Sequence, residues 1–564
     1  MIGVLCPDAQ LPVVEEFFEL FKTPWQRCAP GRVYDVVITT QVDGPLPEAR
    51  VVLAFAACGA QYDSSCGITV EGPRQRAPFT CGPTQLPIFG ELVTFRQSPT
   101  QHVVGTVRGS AAALGLIRGG STVIRLGYDL FAEIEHLLSQ GQPVEHAESP
   151  TIDTHIDLLR RWIVGAGVPL LEIGPSPAGH DFSVCLTHDI DFIGIRQHKL
   201  DHSMWGFVYR ATVGAARNFA RRRLSIARLL RAWWAVVSLP LVYLGLLKDF
   251  WEPFGWYAVA EAGLPATYYL IPYKRRAGEH VPGRAAHRRG TAYDVADVTT
   301  WATRLVENGC EVGVHGIDAW HDDRRGRDEM RRVSGVVGGG VSGIRMHWLL
   351  QKADTPTILE RAGFKYDSTA GYNETIGFRN GTAQVFKPLG ARTLLELPMH
   401  IQDGALFYPQ RLDLSEPEAE TRCGRIIDQV RHSGGVVTIL WHDRSHGPER
   451  FWGEFYVGLI DRLKLASPWF ATGGQLVQWF AARRATRFHE EPDGVLAIVC
   501  DAGESRPGFR VRVYPPGQET GGLEGTELTY VDVPWNGEVP LTFDGALRPT
   551  TSLSRHPSVT AAVN

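Results

Sequence analysis

Four apolar runs, far apart in the chain, each lead into acids or histidines. They are Leu186-Thr187-His188-Asp189-Ile190-Asp191, Val312-Gly313-Val314-His315, Gly343-Ile344-Arg345-Met346-His347 and Thr438-Ile439-Leu440-Trp441-His442-Asp443. Short continuous apolar runs suit strands buried on both faces, as in parallel sheets. Proteins of that class carry their chemistry at the C-terminal rim of the sheet or barrel. The pattern predicts one polar site assembled from several strand ends.

The wider texture divides the chain into four parts. Residues 1–150 hold short strand patterns at 36–38, 51–55 and 123–126 with helical patterns near 12–21 and 129–139, which predicts an α/β accessory domain. Residues 151–180 open with a helical period and read as a linker helix. From 181 to 485 strands and helices alternate, with strands at 267–271, 311–314 and 436–440 and helices at 297–308, 354–363 and 453–464. That spacing predicts parallel strands with crossover helices, interrupted by an insertion at 203–250. Residues 486–564 show three strand patterns between Gly/Pro-rich turns, expected as a small all-β domain.

The insertion has its own character. Arg221, Arg222, Arg223, Arg228 and Arg231 precede an apolar run at 232–247 that contains Trp233, Trp234 and Pro240 and closes at Lys248. Those sixteen residues fall short of the roughly 20 that span hydrocarbon. Two readings remain open for 221–248: a helical hairpin packed on the barrel, or a peripheral contact with a membrane surface.

Composition narrows the classes. With 564 residues, 44% hydrophobic and 21% charged, the chain has material for several cores. A net charge of -4 gives no electrostatic reason to expect nucleic acid. Nine cysteines, an odd number with no CxxC pair, argue against a disulfide framework and favour a reducing compartment. The first residues read as a strand without a basic leader, so the cytoplasm is the expected location. Nothing in the sequence fixes an oligomeric state.

The candidate chemistry begins at Asp189 and Asp191. On a strand they share one face, and two adjacent carboxylates need a cation or a shared proton to relieve their repulsion. His315 ends the next motif with the commonest ligand type for zinc-like ions. Asp318 and His321 follow as further donors. If the chain turns helical there, Asp318 lies about 60° and His321 about 120° from His315 around the axis, whereas a loop would let His321 fold back.

Thr187-His188-Asp189-Ile190-Asp191 resembles the first motif of the NodB-homology polysaccharide deacetylases, carbohydrate esterase family 4, in the subgroup with Asp-x-Asp. His315 with its downstream donor is similar to the second motif, Arg345 to the third and Leu440-Trp441-His442 to the fifth, over about residues 180–480. The resemblance implies an α/β fold, a distorted (β/α) barrel of NodB type. It implies a divalent metal, expected as Zn2+, and removal of N-acetyl groups from amino sugars in a carbohydrate substrate. It makes Asp189 the general base, Asp191 and His315 metal ligands, Arg345 the group that orients the base, and His442 the general acid.

The family's second motif places its histidines four apart, and here the fourth residue after His315 is Ala319. Either Asp318 or His321 is then expected as the third ligand, with His188 or His400 as outside candidates. His347, His400 and Asp403 are expected substrate contacts, and Asp443 a support for His442. Two alternatives accompany the deacetylase: a catalytically silent carbohydrate-binding barrel, and a hydrolase of non-sugar amides.

Overall fold

The computed structural model describes residues 1–44, 46–59, 61–283, 286–491, 495–516, 528–544 and 547–550. The chain forms two compact units. One comprises residues 1–133, 155–179 and 479–564; the other comprises 134–154 and 180–478.

The first unit draws on parts of the expected accessory domain, linker and C-terminal region. Its nine-stranded sheet carries Ile2–Leu5, Tyr34–Thr39, Ala49–Phe55 and Ser121–Leu126 as parallel neighbours, continued by antiparallel strands. Residues Leu170–Pro177, expected within the linker, form a strand that pairs antiparallel with Phe509–Tyr514, with Leu170 opposite Tyr514 and Ile173 opposite Val511. Phe509–Tyr514 therefore shares a sheet with the segment that follows the helix Thr151–Gly165. An edge strand's free N–H and C=O groups are satisfied this way.

The second unit is a parallel α/β barrel. In chain order its strands are β1 (Ser183–Ile190), β2 (Ala266–Leu270), β3 (Glu311–Gly316), β4 (Gly343–Met346), β5 (Tyr366–Asp367), β6 (Leu395–Glu396), β7 (Ile401–Gln402) and β8 (Val436–Leu440). They lie side by side as β6-β5-β4-β3-β2-β1-β8-β7, all parallel. One extended segment closes the ring. Leu397 N–H and Met399 N–H donate to Asp367 and Ala370, after which His400 N–H donates to Thr438 on the other edge.

Sequence explains why these runs become barrel strands. β1, β2 and β8 are buried along their whole length, which the apolar runs within them favour. Gly313 and Gly343 leave room for large rings inside: a Cβ on Gly343 would lie 2.1 Å from the Tyr366 ring. Helices α4 (Thr299–Glu307), α5 (Asp323–Val337), α6 (Thr355–Ala362), α7 (Glu416–Ser433) and α8 (Trp452–Leu465) link or follow the strands, and their apolar faces join one core with them.

The insertion is helical: α1 (His202–Tyr209), a π turn at Arg210–Gly214, α2 (Ala215–Ala220) and α3 (Ile226–Tyr243). Met204, Phe207, Ala211, Leu229, Ala232, Ala235 and Leu239 form its core. The basic flank is largely spent on the barrel: Arg228 pairs with Glu416 and Glu454, Arg223 with Asp413, and Arg231 with Glu454. The opposite face stays apolar and open, with Trp234 63% and Val237 69% exposed. Helix α3 has 18 residues and is apolar enough to cross a membrane, yet a third of it is buried.

Candidate active site

The barrel register aligns the motif residues at one rim. Asp189 lies beside Tyr269 of β2, and His315 of β3 beside Arg345 of β4. Strand alternation turns Thr187 and Asp189 to one face and His188 to the other. His188 meets Glu261 at 2.7 Å and the Trp441 carbonyl at 2.9 Å, away from the site.

Asp191, His315 and His347 converge. His347 Nδ1 lies 2.9 Å from His315 Nε2 and 3.1 Å from Asp191 Oδ1, and His315 Nε2 lies 3.5 Å from the same oxygen. Each ring's other nitrogen meets a backbone carbonyl: His315 Nδ1 that of Arg345 at 3.0 Å, His347 Nε2 that of Arg289 at 3.1 Å. A carbonyl only accepts, so each ring's proton sits on that side and the facing nitrogens present lone pairs. Asp191 Oδ1 is buried and has no hydrogen-bond partner. Three lone-pair atoms aimed at one another repel unless a cation lies among them.

The donors fit a zinc-like divalent ion: two neutral imidazoles and a carboxylate, with both rings oriented by outer hydrogen bonds. Burial holds His347 below the usual imidazole value despite Asp191.

Residue 347 reaches this place through an unusual turn. Trp348 and Leu349, directly after it, both adopt positive φ, 66° and 54°. Such backbone is uncommon for bulky residues and is found where a fold over-determines it. Buried Arg289 braces the turn, donating to the carbonyls of His347, Gly316, Ile317 and Ala277.

Asp189 stands next to the trio, its Oδ2 3.9 Å from His315 Nε2. Arg345 donates to its Oδ1 at 3.1 Å and is itself fixed by Thr187 Oγ1 at 2.7 Å and by Ser368. The guanidinium also lies 4.6 Å from the Tyr269 ring centre. Four anchors leave Arg345 one orientation.

Across the cavity His442 Nδ1 meets Asp403 Oδ1 at 2.5 Å. Asp403 is fully buried and also takes the His442 backbone N–H and the Ser445 hydroxyl. Burial disfavours a charged His442, but the Asp403 carboxylate overrides it and lifts the imidazole to about 10. A ring held protonated beside a carboxylate is a proton donor. Asp443 points elsewhere: its Oδ2 is buried without a partner, and burial raises its carboxyl to about 7. Asp189, Asp191, His315, His347, His442 and Asp443 line one cavity of about 610 Å³.

Several expectations are corrected. Asp318 and His321 are not in the trio. Asp322 caps α5 through the N–H groups of Arg324 and Arg325, so 317–322 stays a loop and no helical geometry applies. In that loop Asp318 accepts the Glu279 N–H at 2.7 Å and contacts His321 at 3.3 Å. The structure places His347 in the donor cluster and pairs Asp403 with His442. His400 is buried, its ring against the Thr438 N–H and the Thr382 carbonyl, and lies outside the cavity lining. Arg289 carried no signal in the sequence.

Neither a protein-family model nor a curated protein matches the chain. Solved structures overlap about half of it. A Mycobacterium smegmatis protein assigned as a polysaccharide deacetylase shares 18% identity over 56% of this chain and 96% of its own, with TM-score 0.32. The Puue allantoinase shares 12% over 55% and 93%, with TM-score 0.33. A Pseudomonas aeruginosa PAO1 protein assigned as a polysaccharide deacetylase shares 12% over 53% and 90%, with TM-score 0.32.

Proposed function

We propose that this protein is a metal-dependent hydrolase that removes N-acetyl groups from an amino-sugar-containing glycan or its precursor. The observation that carries the reading is the convergence of Asp191, His315 and His347, with Asp189 beside them and the Asp403-paired His442 across the same cavity. The first-, third- and fifth-motif resemblances in the sequence supply the substrate class.

Asp191, His315 and His347 would hold a divalent ion, which when bound would supply Lewis-acid polarisation of the scissile amide. Asp189 takes the proton of the attacking water, held in place by Arg345. His442 gives its proton to the departing amine, and Asp403 keeps that proton available until then. Asp189 and His442 approach one cavity from different strand ends, which suits a base and an acid acting on one substrate.

The same reading places the protein in the cytoplasm, in keeping with nine free thiols. It also places the insertion against a membrane surface through the exposed face of α3. Vesicle flotation tests this: wild type is expected to float with anionic vesicles and a 221–248 deletion to stay below, and equal recovery would leave the hairpin a structural element.

Acetate release tests the function itself. The metal-loaded chain should release acetate from N-acetylated sugars and leave cyclic and linear non-sugar amides intact. Turnover of the second group alone would assign a different amide hydrolase, and sugar binding without turnover a silent barrel.

A further inference from the structure

The cavity is more basic than an acetamido group requires. Its lining holds seven arginines against four aspartates. Arg289 donates to several backbone carbonyls and Arg411 to that of Asn373, but Arg210, Arg444 and Arg450 form no ion pair among the described residues. Arg210 Nε and Nη2, Arg444 Nε and Arg450 Nε are buried and make no hydrogen bond. Guanidinium nitrogens withdrawn from water and left unpartnered are costly, and three together add mutual repulsion. Burial first, then Arg450 and Arg444, depress Arg210 to about 10.

Local packing holds these groups in place. The Arg444 guanidinium carbon lies 3.5 Å from the Phe192 ring centre and 4.9 Å from that of Trp251. That of Arg450 lies 4.9 Å from Trp452 and 5.2 Å from Tyr408. Stacking fixes each plane and leaves the N–H edge for a ligand. The nearby acids are Glu449, which accepts the Trp251 indole N–H, Asp403, which is engaged by His442 and Ser445, and Asp443, which forms no ion pair with these arginines. Arg210 lies on the π turn of the insertion and Arg444 two residues beyond His442, so both structural parts contribute.

We propose that Arg210, Arg444 and Arg450 form a phosphate subsite, so that the substrate is an N-acetylated amino sugar carried as a phosphate or diphosphate ester. Several convergent guanidinium edges match an oxyanion with several oxygens and more than one charge. The substrate part of this inference rests on the deacetylase reading; the subsite does not.

Inorganic pyrophosphate is therefore the first probe, titrated calorimetrically into the full chain after metal removal, so that the trio's ion cannot bind it. Saturable binding is expected, weakened about tenfold or more in Arg444→Gln and in Arg450→Gln. Arg210→Gln should melt no lower than wild type, since it relieves repulsion, while losing most of the pyrophosphate-induced rise in melting temperature. No saturable binding in wild type, or equal binding by folded variants, would overturn the subsite.

Turnover provides the second arm. N-acetylglucosamine 1-phosphate should exceed N-acetylglucosamine in kcat/KM, with the ratio falling in Arg450→Gln; equal turnover of the two by wild type would overturn the substrate class. A nucleoside-diphosphate sugar and a polyprenyl-phosphate sugar in phosphatidylcholine vesicles distinguish the carrier, and preference for either supports the proposal. Pyrophosphate binding without any amide hydrolysis would retain the subsite and remove the deacetylase. Hydrolysis without pyrophosphate binding would do the reverse.

Discussion

Asp191 with His315 and Asp318 with His321 are both carboxylate–imidazole contacts, at 3.5 and 3.3 Å, and both follow from motifs at the rim of the barrel. Their protons are arranged in opposite ways. Asp318 Oδ1 already receives a backbone N–H from Glu279 and faces His321, so it ties down a loop. Asp191 Oδ1 receives none, and the two imidazole nitrogens beside it have their ring protons turned away to carbonyls. An acid near a histidine does not by itself mark a metal site. The inventory of donors around both groups does.

The largest effect that can break this contrast is on turnover. Asp191→Ala or His315→Ala should lower kcat/KM on the order of 10³-fold or more, the several kcal/mol that an ion contributes to a transition state. Activity kept within a few fold would place the reaction elsewhere.

The next effect concerns the proton donor. Asp403→Asn should cost about 10²–10⁴ in rate, the share of general acid catalysis. It should also move the alkaline limb of the pH–rate profile down from near 10 towards 6.5. The direction follows from Asp403 raising the imidazole value, so its removal lets His442 lose its proton at lower pH. The same linkage acts on folding: the pair's stabilisation is full below 6.5 and is lost as pH rises towards about 10. An unmoved alkaline limb would remove His442 from the acid role.

The smallest effect sharpens the comparison from the other side. Asp318→Ala should leave metal affinity within about twofold and cost roughly 1 kcal/mol of stability, the scale of its loop hydrogen bonds. Metal loss in that variant, measured by competition with a chromophoric chelator, would return Asp318 to the ion.

The strand ends were legible because a strand buried on both faces must be continuously apolar, and the polar residues that end it stand out. Asp189, Asp191, His315, Arg345 and His442 all meet at the rim for that reason. His347 carried the same signal, at the end of the Gly343–Met346 strand, but spacing along one motif drew attention to Asp318 and His321. The third donor comes from the neighbouring strand, through a turn of two left-handed residues that no periodicity announces. Arg289 and the Asp403–His442 pair depend on contacts across 58 and 39 positions of sequence, which local pattern does not record. The pairing of Phe509–Tyr514 with Leu170–Pro177 was hidden likewise, since Leu170 and Tyr514 meet only through tertiary pairing.

The central claim is that the third donor is His347, and metal content tests it most directly. Elemental analysis of purified full-length wild type, His347→Ala and His321→Ala, after equilibration with limiting zinc, compares the two clusters in one measurement. Wild type and His321→Ala are expected to retain about one ion per chain, as a site with three protein ligands does, and His347→Ala to lose most of it. Full metal in His347→Ala with loss in His321→Ala would contradict the account.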